Sequence, residues 1–348
     1  MNHPMERPTN GFGSPQKAER NLEFSRAGGF PHGRQQSHHQ QFDSLENEMQ
    51  QVTAVAPVLT LDLPIERRDA LERLFTHIGT MTSLPVVGQR ILKLTENESA
   101  STEELREAIQ SDPVLVARIL RRLNSSYYGL SHKVSDIRTA VNLLGFREIR
   151  NLALTVFMSK MYEPMGSHGN YRREGLWSHS VAVGACSRLV ARVCGRGAPE
   201  EAYIAGLLHD LGLILLDQSL RRHFMRVLDG INSATPTCTV ENQILSFDHA
   251  TLGGFVAQRW NFPQQIVDAI TFHHQPMAYE GPSKDLVYVV AVANYLCSRS
   301  GRTSLGIHNV AAPEDEVYGG LGLDQVTLSI ICTELEVTLE KADSLARE

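Results

Sequence analysis

The run Ile204–Leu216, IAGLLHDLGLILL, constrains this chain more than any other stretch, because it sets His209 and Asp210 side by side in apolar sequence. An unpaired imidazole and carboxylate taken out of water cost several kcal/mol. The pair must therefore meet a metal, a hydrogen-bond network or a counter-charge. The run is shorter than the roughly 20 apolar residues of a bilayer span. It reads as one buried helix with a polar site at its centre, and the rest of the chain has to supply that site's partners.

The chain has 348 residues and an apolar fraction of 42%, enough for a large core. A net charge of -6 weighs against a chain given over to nucleic-acid binding. Five cysteines, an odd number without CxxC spacing, read as free thiols in a reducing compartment. The first thirty residues hold no apolar leader, and no segment suits a membrane span, so a cytoplasmic location with no membrane partner is expected. Residues 1–58, rich in Gln, Gly, Pro, Ser, Asn and His, cannot bury enough surface to offset ordering entropy, and a disordered tail is expected there.

From Pro64 onward the pattern is helical throughout. IERRDALERLFTHI aligns Ile65, Leu71, Leu74, Phe75 and Ile78, and LPVVGQRILKL follows. Ser101 and Glu104 form a capping-box pair, Asp112 and Pro113 open the next helix, and Ser135 and Gly145 are the expected cap and stop of another. Further helices are predicted over Glu174–Val193, Thr239–Trp260, Pro263–His274, Asp285–Ser298 and Leu323–Arg347, the last with an acidic face. Alternating strand patterns with hairpin turns are absent. The expected fold class is all-α, a two-lobed helical bundle with residues 59–165 as the N-terminal lobe and 166–348 as the second.

Several of these helices carry one inward-facing ligand type on an apolar stripe: His179, then His209 with Asp210, His249, His273 with His274, and Asn294. A single core histidine is usually just hydrogen-bonded. Converging imidazoles and a carboxylate are how helical bundles build metal sites, and this donor set suits Fe, Mn, Mg or Zn, as one or two ions.

The string His179, His209-Asp210 and a later polar residue resembles the HD superfamily of metal-dependent phosphohydrolases. His249 and the His273-His274 pair are similar to the additional histidines of its dinuclear members. LPVVGQRILKL, SDPVLVARILRRLNSSYYG and KVSDIRTAVNLLGFREIRNLAL, with DHATLGGFVAQRWNFPQQIVDAITFHH and AVANYL later, resemble the HDOD domain, an HD-related output domain of bacterial signalling proteins. The likeness runs from about Leu84 to Ser300. It implies an all-helical, regulatory domain acting through a signalling-protein partner.

Three departures from the active HD pattern bear on catalysis. Active members carry a Lys three residues after the Asp, where Leu213 stands here; the last ligand is usually Asp, where Asn294 stands; and QPMAYEGP replaces the GYP stretch after His274. The preferred reading is a signalling module with a degenerate metal or ligand pocket. The alternative is an active phosphohydrolase or phosphodiesterase on a nucleotide or other phosphate-containing ligand, with Asp210 essential to catalysis and metal-activated water attacking the phosphoester. A third reading, nucleic-acid contact through Arg118, Arg121 and Arg122, competes with a plain solvated face, which is favoured. His223 and His308 are expected at the surface, and Asn124 in NSSYY is expected to cap a helix end.

Overall fold

The computed structural model describes residues 101–125 and 128–347, together with residues 87, 88, 90, 91 and 94. The expectations for residues 1–58 and for the IERRDALERLFTHI helix lie outside the described residues. Among the described residues the regular elements are helices, accompanied by two isolated bridges and no strand.

The N-terminal helices start where local chemistry says they should. Helix α1 (Thr102–Gln110) opens with the Ser101–Glu104 capping box. Helix α2 (Pro113–Leu123) has Asp112 accepting from the Val114 and Leu115 amides, and Asn124 closes it by bonding Leu120 and Val134. For α3 (Ile137–Leu144) the cap is Asp136 rather than Ser135, because the longer-reaching carboxylate takes the Thr139 amide and hydroxyl. Gly145, at a φ of 85, ends α3 and starts α4 (Phe146–Ser159); that left-handed conformation suits glycine.

The second set of helices is built on α5 (Arg173–Cys194), which packs against α6 (Pro199–Leu208), α12 (Lys284–Arg299) and α14 (Gln325–Arg347). Between α6 and α12 come α7 (Leu211–Ser219), α8 (Arg221–Gly230), α9 (Thr237–Leu245), α10 (His249–Arg259) and α11 (Gln264–Phe272), and α13 (Asp315–Gly320) precedes α14. Asp217, fully buried at the end of α7, is held by Tyr171, Arg173 and Arg221, which fixes α7 to the start of α5.

Three further expectations are corrected here. The helix foreseen over Thr239–Trp260 is broken: Ser246 turns left-handed at a φ of 65, Phe247 is buried, and Asp248 caps a new helix through the Thr251 amide. His223 is buried rather than at the surface, beside buried Phe224 on α8. Arg122 is withdrawn from the basic stripe: it is buried and donates to the Leu345 carbonyl at the end of α14, where a cation also meets the negative end of the helix dipole.

Candidate metal centre

His209 and Asp210 stand between two helices, not inside one. Helix α6 ends at Leu208 and α7 begins at Leu211, with Asp210 at φ -95 and ψ 20. Successive residues of an unbroken helix point about 100° apart, so a break lets both side chains enter one cavity. An all-apolar run has no periodicity from which that break could be read. His179 comes from the middle of α5, His249 is the first residue of α10, His273 and His274 follow α11, and Asn294 lies in α12.

These distant residues converge. His179, His209 and Asp210 form one group whose ligand atoms lie within 4.8 Å of one another, and Asp210, His249, His273 and His274 form another. Asp210 belongs to both, and its two oxygens divide the work. Oδ2 faces Nε2 of His179 at 3.5 Å and of His209 at 3.2 Å, while Oδ1 faces Nε2 of His249 at 3.3 Å and of His273 at 3.6 Å. Asn294 sits 2% exposed on the wall of the adjoining cavity, with its Oδ1 unpartnered.

The far side of each ring settles its tautomer. Nδ1 of His179 donates to the Arg302 carbonyl at 2.6 Å, Nδ1 of His209 to the Gly206 carbonyl at 2.7 Å, and Nδ1 of His273 to the Ile270 carbonyl at 2.7 Å. A carbonyl only accepts, so each neutral ring keeps its proton on Nδ1 and turns a lone pair inward from Nε2. The Nε2 atoms of His179 and His209 meet at 3.2 Å, as do those of His249 and His274. Two lone pairs at that distance repel unless a cation or a proton lies between them. The buried Nε2 of His273 has no hydrogen-bond partner. This donor set fits divalent ions: Nε2 atoms and a shared carboxylate face inward, and the outer nitrogens are fixed by acceptors, the arrangement that orients metal-ligating histidines.

Sequence reasoning did not find Glu241. It is fully buried on α9 and accepts from both the backbone amide of His249, at 3.0 Å, and its Nδ1, at 2.6 Å. A carboxylate in that place orients the ring and raises its basicity. Replacing Glu241 with Gln is expected to keep the fold but weaken ion binding at the His249 side about 10- to 100-fold, as read by competition with a chromophoric chelator. An unchanged affinity would show that the carboxylate plays no part in holding the ring.

Burial pushes His179 and His273 down to about 4, and it holds His274 well below the ordinary imidazole range. His249 goes the other way: burial disfavours its charge, but the Glu241 carboxylate outweighs burial and holds the ring well above its ordinary value. Burial likewise opposes ionisation of Asp210, yet the imidazoles packed around its two oxygens, His209 foremost, outweigh burial and keep its carboxyl well below the usual range. Lowered imidazole values mean that the unfolded chain binds more protons between about pH 6.5 and 4. The contribution of His249 is already complete below its unfolded value, and that of Asp210 is lost only below the window. The chelator-treated protein is therefore expected to lose stability on acidification from about 6.5 to 4, by about 3 kcal/mol for each of His179 and His273. Urea midpoints across that range check it; a flat profile would contradict neutral burial of the rings.

A helical body with clustered imidazoles around one carboxylate defines a class of HD-type folds. The sequence pattern of the HDOD domain family matches residues 81–276, more than half of the chain, and the chain belongs to that family. It is 26% identical over 220 residues to an uncharacterized protein of Treponema pallidum (strain Nichols), a match covering 63% of this chain and 42% of that protein. The chain spans less than half the length of the curated relatives it matches. An HDOD domain protein of unknown function from Geobacter sulfurreducens has the same fold, with a TM-score of 0.66 at 24% identity over 82% of this chain and 99% of its own. A provisionally named signal transduction protein from Marinobacter aquaeolei VT8 gives 0.67 at 24% identity over 89% of this chain and 65% of its own. No helix among the described residues is long and apolar enough to cross a membrane.

Proposed function

We propose that this chain is a regulatory output module of bacterial signalling, whose histidine centre holds one or two divalent ions and which acts through a protein partner. His179, His209 and Asp210 would hold one ion; Asp210, His249, His273 and His274 would hold the other, with the neutral Asn294 beside them. Bound there, the ions would supply positive charge for an anionic ligand oxygen. The observation that carries the regulatory reading is the lining of the adjoining cavity. Its volume is about 230 Å³, and Asp210, His249, His274 and Asn294 open onto it. Among the described residues, those that line it include Thr237, Thr239, Gln275, Ser304 and Asn309 but no Lys or Arg. Leu213, at the position of the phosphate-binding Lys, also lines it. A phosphoester would find hydroxyls and amides there, and among the described lining residues no cation to take up charge at the leaving oxygen.

A second reading, hydrolysis of a phosphoester, draws on the direct opening of that cavity onto Asp210. In it Asp210 orients the ligand set, and the lining hydroxyls and amides position the ester. The two are separated by assaying the Mn-, Fe- and Mg-loaded protein on phosphomonoesters, nucleotides and cyclic dinucleotides beside Asp210→Ala. The expected result is bound metal with no turnover above the variant. Turnover that depends on Asp210 would replace the regulatory reading with the enzymatic one, and absence of bound metal in the untreated protein and after loading would overturn both.

A further inference from the structure

Helix α9 carries a set of ligand atoms on the outer side of His249, away from the shared carboxylate. Cys238 and Glu241 stand three residues apart on one face of the helix, and with His249 their donor atoms lie within 4.8 Å of one another. Glu241 is fully buried, yet its Oε1 has no hydrogen-bond partner. Leaving such an oxygen unpaired is costly, and a site of this kind calls for an explanation. Cys238 lines the cavity wall, so solvent and ions have access to it.

We propose that Cys238, Glu241 and Nδ1 of His249 form a separate site for a thiophilic divalent ion, Zn²⁺ or Co²⁺, which competes with the histidine centre for His249. The inference rests on the reading of that centre as a metal site. One sulfur, one carboxylate oxygen and one imidazole nitrogen suit a borderline-soft ion, with the cavity leaving room for water as a fourth donor. The competition follows from proton arithmetic. A neutral imidazole has one lone pair for an ion, because its other nitrogen carries the proton. When Nε2 serves the histidine centre, the proton stays on Nδ1, facing Glu241. When Nδ1 serves the thiol site, the ring proton moves to Nε2, which faces Oδ1 of Asp210 at 3.3 Å and donates to it. Cys238 gives its S–H proton to solvent through the cavity. Starting from the neutral ring, each ion bound at the thiol site thus releases one proton, that of Cys238, and withdraws one ligand from the histidine centre; starting from the protonated ring, it releases a second proton, from Nδ1.

The test is a Co²⁺ titration of the full chain, followed by optical absorption. A thiolate-to-cobalt charge-transfer band in the near ultraviolet is expected, absent in Cys238→Ser and in Cys238→Ala, and kept in His209→Ala, which touches only the histidine centre. Circular dichroism shows whether each variant is folded, and should neither Cys238 variant fold, a wild-type band that is kept in Cys332→Ser and in Cys194→Ser, the other accessible thiols, assigns it to Cys238, whereas a band lost in either overturns the proposal. Visible cobalt absorption without the near-ultraviolet band would overturn the thiol site and leave the histidine centre standing. Neither absorption would overturn both. A band that survives in the Cys238 variants, arising from another thiol such as exposed Cys332, would also overturn it.

Discussion

Replacing Asp210 with Ala is expected to empty the histidine centre, with metal per purified chain falling from one or two ions to near zero. The reason is position as much as charge. Asp210 is the one acid in the two histidine groups and the one residue common to both. Its Oδ2 lies against His179 and His209, and its Oδ1 against His249 and His273. Without it, five neutral rings would have to stabilise one or two dications unaided, and a dication in a low-dielectric interior gains far more from a carboxylate than from an imidazole dipole. The loss of affinity is expected to exceed the roughly 100-fold upper end for removing an outer hydrogen-bond partner. His209→Ala, which removes a ligand from one group only, is expected to cost the ion of that group and spare the other. Metal analysis of the three proteins, each checked for helical content, distinguishes the cases. Asp210→Ala with the wild-type metal content would show that the carboxylate does not bridge the rings.

Much of this architecture was legible in the sequence, and the exceptions have a common cause. Local signals carried well: the Ser101–Glu104 box, Asp112 with Pro113, and Gly145 all act where expected, since a cap needs only residues within one turn. The inward histidines were readable because each lay on an apolar stripe, and the structure brings His179, His209, His249, His273 and His274 together around Asp210. Helix breaks were not readable in two places. Around His209-Asp210 every neighbour is apolar, so no face is distinguished from another. At Ser246 the left-handed turn is taken by a residue other than glycine, which leaves no mark in the pattern. Glu241 was missed for the same reason: within TVENQIL it looks like a surface glutamate, and only the break that follows folds α9 against the first turn of α10 and buries it. Arg122 shows the converse. Its spacing from Arg118 and Arg121 suggested one exposed stripe, whereas a carbonyl 223 residues away claims it.

The second large effect is expected from a single methyl group at Gly212→Ala. A Cβ at Gly212 would lie 1.9 Å from the carbonyl oxygen of His249, 2.6 Å from its carbonyl carbon and 2.9 Å from its Cα. All three are backbone atoms of the first residue of α10, so no rotamer change can relieve the overlap. Helices α7 and α10 would have to part, and the movement would carry His249 away from Oδ1 of Asp210. A loss of about 3 kcal/mol or more is expected in urea unfolding. The ion held by the Asp210, His249, His273 and His274 group should be lost first, because His179 and His209 are anchored on α5 and α6 and do not depend on the α7–α10 contact. Gly175→Ala is the control: a Cβ at that position on α5 meets nothing within 4 Å, and replacing a helical glycine in open space is expected to stabilise by about 0.5–1 kcal/mol. If Gly212→Ala kept both its stability and its metal while Gly175→Ala behaved as stated, α7 and α10 could not be as close as this, and the placement of His249 against Asp210 would fall with them.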